Sequence, residues 1–111
     1  MKTTVILHNQ TLGKGDAELG KTLMGSFIRK IWGVQKKPDA IIFYNSAVQL
    51  LTDTSPVLDA LDGLSKQGVD LLGCKTCIGF YNIESKLAIG RMVDMQEIVS
   101  LLMKSDNVIT P

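Results

Sequence analysis

The chain has 111 residues, of which 45% are hydrophobic and 21% are charged. This size and balance exclude a mainly disordered or fibrous protein and predict a single globular domain, residues 1–111, with one core. Twelve Lys and Arg against eleven Asp and Glu leave a net charge of +1, and the scattered basic residues exclude the concentrated patch typical of nucleic-acid partners.

No long apolar segment interrupts the sequence. The run Val5–Leu7 is too short for a signal-peptide core, so secretion is not expected. The longest apolar run, Ala40–Tyr44, is far shorter than the about 20 residues that cross a bilayer. We therefore expect a soluble, cytoplasmic protein with no membrane partner.

Short apolar runs alternate with helical periodicity, the pattern of an α/β fold. Thr3–Leu7 is predicted to be the first strand. Asp16 is predicted to cap a helix that runs to Gly33 and buries one apolar face. The residues of that face are Leu19, Leu23, Met24, Phe27, Ile28 and Ile31. The fully apolar run Ala40–Tyr44 predicts a second strand that is covered on both sides.

The middle of the chain continues this alternation. Ser46–Leu51 is predicted to form a short helical turn. Ser55 followed by Pro56 predicts the start of a helix that stops at Gly68. Val69–Leu72 predicts a third strand, which ends at the Gly-Cys pair of positions 73 and 74.

The elements after the cysteines are shorter. Asp94, with Glu97 three residues later, predicts the start of a last helix. The other expected features are a helical turn at Ile78–Tyr81, a left-handed residue at Asn82, an apolar step at Leu87–Ile89, a buried helix face of Ile98, Leu101 and Leu102, and a final strand at Val108-Ile109. Helical connections between parallel strands predict a three-layer α/β/α sandwich with four or five mostly parallel strands.

Three polar clusters follow the three longest predicted strands. His8 follows the first strand, Asn45 and Ser46 follow the second, and Cys74 and Cys77 follow the third. Because ligands of parallel sheets bind beyond the carboxyl ends of the strands, these clusters predict a common site. Capping and solvated roles for the His, Asn and Ser side chains remain open alternatives.

The pair Cys74-x-x-Cys77 is the strongest chemical signal. A cysteine at a strand-to-helix junction meets unpaired N–H groups, which favour thiolate over thiol, and Lys75 adds positive charge. Four interpretations stay open: a zinc site, which would lack ligands with one His and two Cys in the chain; a redox dithiol; a persulfide carrier; and two inert cysteines. The persulfide carrier fits best, and we expect no metal and no cofactor.

One motif matches a nucleotide-binding pattern without its context. Gly15–Thr22 satisfies G-x-x-x-x-G-K-[ST] of the phosphate-binding loop. Asp16, however, is predicted to cap a helix, and Leu19 and Leu23 are predicted to lie on its buried face, so the second glycine would lie inside the helix. We therefore expect no nucleotide binding.

The sequence resembles a known family over nearly its whole length. The segments that carry the resemblance are Thr11–Met24, Phe43–Val48, Cys74–Cys77, Lys86–Gly90 and Asp94-Met95. They are similar to the DsrE-like domain of YedF-type, sulfurtransferase-like proteins of selenium metabolism, within the wider DsrE/DsrF superfamily of sulfur-relay proteins. The TusA-like domain that precedes this domain in YedF proteins is not part of the sequence, and Lys75 replaces the glycine of their Cys-Gly-Thr-Cys motif.

The resemblance implies an oligomeric α/β protein that handles sulfur or selenium. Cys74 matches the sulfur-carrying cysteine of the family, and Cys77 matches the second cysteine of the YedF-type motif. On this basis we expect a carrier or sulfurtransferase in which Cys74 holds a persulfide and Cys77 assists, with His8, Asn45, Ser46 and Lys75 as supporting residues. Expected partners are further copies of the chain and proteins that donate or accept sulfur. The alternative is a non-catalytic oligomeric module that binds a small molecule or a protein between subunits.

Overall fold

A five-stranded parallel sheet forms the centre of the molecule, as the computed structural model describes it for residues 2–111. The strands are β1 (Thr3–Leu7), β2 (Ala40–Phe43), β3 (Asp70–Cys74), β4 (Arg91–Val93) and β5 (Asn107–Ile109). Their order in the sheet is β4-β3-β2-β1-β5, and every neighbouring pair is parallel. The predicted α/β class with a parallel sheet is therefore confirmed.

Four α-helices connect the strands. They are α1 (Ala17–Gly33), α2 (Leu58–Lys66), α3 (Lys75–Tyr81) and α4 (Met95–Lys104), joined by two 3-10 helices at Asn45–Leu51 and Glu84–Lys86. The predicted caps hold: the carboxylates of Asp16 and Asp94 accept hydrogen bonds from the N–H groups of Leu19 and Glu97, respectively. Within residues 2–111, no helix combines the length and the apolar character that a bilayer span requires.

Alternation along the central strands divides the core into two clusters. Val5, Leu7, Ile41, Phe43 and Leu71 face α1, α2 and the first 3-10 helix, which form one outer layer. The neighbouring strand residues face α4 on the opposite side; this second cluster contains Ile6, Ala40, Ile42, Leu72, Cys74, Val93 and Ile98. Strands buried on both faces explain why β1 to β3 are almost continuously apolar in sequence.

The buried face of α1 differs from the predicted one. Leu19 is 57% exposed and Leu23 is 46% exposed, whereas Gly20, Met24 and Ile28 are buried. These three residues are spaced four apart and form one narrow buried stripe, so both leucines lie on its flank. The Leu12 N–H also donates to the Gly20 carbonyl oxygen at 2.9 Å, which packs the preceding loop onto the glycine.

Several predicted boundaries shift by a few residues. Strand β2 ends at Phe43 rather than Tyr44. The helix predicted from Ser55-Pro56 begins at Leu58, after a turn in which the Ser55 hydroxyl accepts the N–H of Val57. Helix α2 ends at Lys66, and β3 spans positions 70–74 instead of 69–72.

The predicted apolar step at Leu87–Ile89 is not a strand of the main sheet. Leu87 makes only an isolated antiparallel bridge to Thr52, and β4 begins later, at Arg91. The Arg91 guanidinium donates to both carboxylate oxygens of Asp70, at 3.0 and 2.9 Å, and also pairs with Glu97 on α4. The charged residue Arg91 therefore links β4 to β3, and a pattern of apolar residues in the sequence does not reveal such a link.

Candidate functional site

The two cysteines lie at the carboxyl end of β3, where the sheet meets α3. Cys74 is the last residue of β3, and Cys77 lies in the first turn of α3. Both are free thiols. Cys74 belongs to the buried cluster beneath α4, while Cys77 packs against both core clusters and so lies at the edge of the sheet between the layers.

The two thiols differ in how far solvent reaches them. Cys74 is only 2% exposed, and Cys77 is partly exposed. A bulky thiol reagent would therefore reach Cys77 before Cys74. The two cysteines are three residues apart in the chain, and Cys74 contributes to raising the pKa of the Cys77 thiol. The two sulfur atoms are therefore near neighbours, as thiol exchange requires.

A backbone amide contacts the sulfur of Cys77. The N–H of Asn45 donates to the Cys77 Sγ atom at 3.1 Å. Burial raises the pKa of the Cys77 thiol, the Asn45 hydrogen bond lowers it, and the neighbouring Cys74 raises it further; the net direction is upward. The amide thus offsets part of the free-energy penalty of placing a thiolate in this partly buried position.

Tyr44 lies beside both thiols and was not predicted to be a site residue. Its ring stacks on His8 with centroids 5.9 Å apart, and its hydroxyl donates to the Met95 Sδ atom at 3.8 Å. The pKa of Tyr44 is raised, first by burial and then by the negative charge available to Cys74 and Cys77. The raised pKa keeps the phenol protonated and uncharged at neutral pH.

Tyr81 is a second residue that sequence reasoning missed. Its hydroxyl donates to the Asn45 Oδ1 atom at 3.0 Å. The signal available in the sequence was its spacing, because Tyr81 follows Cys77 by four residues and side chains at that spacing share one face of a helix. Tyr44 carried a comparable signal, since it directly precedes the predicted Asn45.

The other predicted site residues have separate positions. Asn45 is brought to Cys77 through its backbone, and His8 reaches the site through Tyr44. The Ser46 hydroxyl accepts the N–H of Gln10 at 3.0 Å, so it joins the loop after β1 to the first 3-10 helix. Lys75 is exposed at the start of α3.

The structure also bears on metal binding, on a cavity and on the nucleotide-binding pattern. Among residues 2–111, no group of three or more His, Cys, Asp or Glu side chains is arranged to hold a metal ion. A cavity of about 520 Å³ opens beside α1 and the first 3-10 helix, and neither cysteine lines it. Gly20 to Thr22 of the nucleotide-binding pattern lie inside α1, so their backbone N–H groups are not free to wrap a phosphate.

Comparison with known proteins gives the family and the fold. The model of the DsrE/DsrF-like family matches residues 1–111, and no curated protein sequence matches the chain. The YchN protein of E. coli, 19% identical, has a similar structure with a TM-score of 0.67, and 100% of each chain is covered.

Two further structures are similar to this chain. The protein of unknown function MTH1491 from Methanobacterium thermoautotrophicum is 19% identical with a TM-score of 0.69, and 100% of each chain is covered. The conserved protein of unknown function BT1422 from Bacteroides thetaiotaomicron is 13% identical with a TM-score of 0.65, covering 99% of this chain and 95% of its own. The family match does not single out the YedF group. The chain belongs to the DsrE/DsrF-like family.

Proposed function

We propose that this protein is a sulfur carrier, or sulfurtransferase, that acts through a cysteine persulfide on the Cys74–Cys77 pair. The family to which the chain belongs is associated with sulfur relay. The observation that carries the proposal is the arrangement of two free, adjacent thiols at the end of β3, one buried and one partly exposed, with a backbone N–H on the exposed sulfur.

Because the two thiols differ in accessibility, each of them has a different step in the proposed sulfur transfer. The Cys77 thiolate attacks the outer sulfur of a donor persulfide, the S–S bond of the donor breaks, and the donor leaves as a thiolate. The Cys74 thiolate then attacks the outer sulfur of the Cys77 persulfide, and Cys77 leaves as the thiolate, so the negative charge passes from Cys74 to Cys77. Each exchange forms one S–S bond and breaks another, so no external oxidant or reductant is needed. Cys74 is the resting carrier, and Cys77 is the point of entry and exit.

Peptide mapping can test this assignment because Lys75 separates the two cysteines. The protein is incubated with inorganic polysulfide, or with a cysteine desulfurase and cysteine, and is then alkylated in native buffer. Trypsin cleavage after Lys75 puts Cys74 in the peptide 67–75 and Cys77 in the peptide 76–86. We expect one added sulfur, removable by reductant, on the peptide 67–75 of the wild-type protein.

The single-cysteine variants separate the two steps. In Cys74→Ser the added sulfur should stay on the peptide of Cys77, and in Cys77→Ser loading should slow because the donor reaches only the buried thiol. Absence of added sulfur with both donors would exclude a persulfide carrier and favour the non-catalytic module. Replacement of the polysulfide by selenide with a thiol oxidant tests whether the pair also accepts selenium.

We also propose that the chain forms a homo-oligomer through the outer face of α4. Met95, Val99 and Met103 are exposed and spaced four residues apart, so they form an apolar stripe on this helix. The stripe lies next to Tyr44 through the contact with Met95, so an oligomer would assemble beside the site. Light scattering should give a multiple of the chain mass, and Val99→Glu combined with Met103→Glu should yield the monomer. A monomeric parent at micromolar concentration would contradict the proposal.

A further inference from the structure

Asn45 adopts a backbone conformation that non-glycine residues seldom take. Its φ is 50°, in the left-handed region. Asn tolerates this region better than most residues, but the surroundings must still hold it there. The residue lies at the junction between β2 and the first 3-10 helix, directly at the edge of the cysteine site.

Two hydrogen bonds meet at this residue. The Tyr81 hydroxyl donates to the Asn45 side-chain oxygen at 3.0 Å, and the Asn45 backbone N–H donates to the Cys77 sulfur at 3.1 Å. Both partners of Asn45 belong to α3, in which Tyr81 follows Cys77 by four residues. One face of α3 therefore carries both the Cys77 sulfur and the Tyr81 hydroxyl, which binds the residue whose N–H contacts that sulfur.

We propose that Tyr81 is a positioning residue, which holds Asn45 in its left-handed conformation so that the Asn45 N–H stays on the Cys77 sulfur. This role deepens the proposed function and rests on it, because the N–H would stabilise the thiolate that attacks the donor and that leaves again during exchange. Tyr81 itself touches neither sulfur nor donor and acts through Asn45.

Besides the Asn45 N–H, few groups are placed to change the pKa of the Cys77 thiol. Cys74 raises the pKa of Cys77, and both cysteines raise the pKa of Tyr44. The Tyr81 phenol lies on the same face of α3 and is engaged with Asn45. The imidazole of His8 stacks on Tyr44. On the nearby helix α4, the carboxylates of Asp94 and Glu97 are engaged with a backbone N–H and with Arg91. Loss of the amide contact should therefore appear directly in the titration of Cys77.

The experiment measures the alkylation rate of Cys77 against pH in Cys74→Ser protein, with no sulfur donor present. Tyr81→Phe keeps the ring and removes only the hydroxyl. We expect it to raise the apparent pKa of Cys77 by about 0.5–1 unit, which lowers the alkylation rate at neutral pH by roughly 3–10-fold. A shift below about 0.2 unit, which corresponds to less than about 0.3 kcal/mol, would overturn the proposal.

A second variant shows whether Tyr81 acts through Asn45. Asn45→Gly keeps a left-handed backbone accessible but removes the oxygen to which Tyr81 donates. In the Asn45→Gly background, Tyr81→Phe should cause no further shift, because the link is already lost. An equal shift in both backgrounds would mean that the hydroxyl acts on Cys77 by another route and would overturn the proposal.

The proposed function and the positioning role fail in different measurements. Thiol titration needs no donor, whereas persulfide loading does. Suppose that the parent protein takes up no sulfur, but Tyr81→Phe still raises the pKa of Cys77 when Asn45 is present and not in Asn45→Gly. The carrier function is then wrong and the positioning role stands. If loading succeeds and Tyr81→Phe leaves both the titration and the loading rate unchanged, the positioning role is wrong.

Discussion

Gly63 lets α1 and α2 approach each other closely, and replacing it should expel the only tryptophan of the chain. A Cβ atom at Gly63 would lie 2.3 Å from Cε2 of Trp32, so the indole must move. Trp32 is 37% exposed, and most of its ring is therefore packed. Returning roughly 50–100 Å² of the ring to water costs about 1–2.5 kcal/mol at ~25 cal/mol per Å².

A matched glycine isolates this effect. Gly25 lies inside α1, where a new Cβ would make only an ordinary 4.0 Å contact with Val57. Alanine in a helix interior is favoured over glycine by about 1 kcal/mol, so Gly25→Ala should be stabilising by up to about 1 kcal/mol. In Gly63→Ala the same gain is cancelled or exceeded by the displaced indole, which leaves Gly63→Ala less stable than Gly25→Ala by about 1–2.5 kcal/mol.

Urea unfolding followed by circular dichroism measures the difference, and tryptophan fluorescence reports its cause. The emission of Gly63→Ala should shift to longer wavelength in native buffer, while that of Gly25→Ala should match the parent. Equal stability of the two variants with unchanged emission would refute the reasoning, because it would mean that α2 moves away as a body and Trp32 stays packed.

Three further predictions concern the site and its surroundings. Because burial raises the pKa of Cys77 above its ordinary value, its alkylation in Cys74→Ser should be slower at pH 7.5 than that of a free thiol and should still be increasing at about pH 9; a plateau below about pH 8 would contradict this. Gly73→Ala should lower the free energy of unfolding by about 1–3 kcal/mol, since the new Cβ would lie 2.9 Å from the Cδ1 atom of the fully buried Ile78. Urea unfolding measures this loss, and a value below about 0.5 kcal/mol would count against the prediction. Lys21→Ala should leave nucleotide binding as undetectable in calorimetry as in the parent, because Lys21 lies within α1, and micromolar ATP binding that the substitution abolishes would disprove this.

The sequence was sufficient for strands β1 to β3 and for the starts of α1 and α4 because their signals are local. Asp16 and Asp94 cap helices where their spacing predicted, and the apolar runs of β1 to β3 are buried on both faces. Strand β4 was missed because it has only three residues, begins with the charged Arg91, and is recognised by its pairing with β3. A pairing over that distance in sequence leaves no periodic pattern.

The site was predictable in part for the same reason. Strand ends located Cys74, Cys77 and Asn45, since carboxyl ends of parallel strands converge. The role of the Asn45 backbone was not predictable, because an N–H group is present at every non-proline position and only tertiary packing selects the one that meets a sulfur. Burial of Cys74 was likewise set by α4, which lies beyond the cysteines in the chain.

The cover over Cys74 has a kinetic consequence. Helix α4 supplies the helical residues of the second core cluster apart from Cys77, and Ile98 is its only fully buried side chain. In the monomer, a ten-residue helix with one such anchor is expected to open more readily than the rest of the fold, whereas the proposed oligomer would also hold this helix through its outer face. In the monomeric variant with Val99→Glu, Met103→Glu and Cys77→Ser, labelling of Cys74 under native conditions therefore measures the local opening of α4. The labelling rate extrapolated against denaturant gives the free energy of that single event rather than of global unfolding.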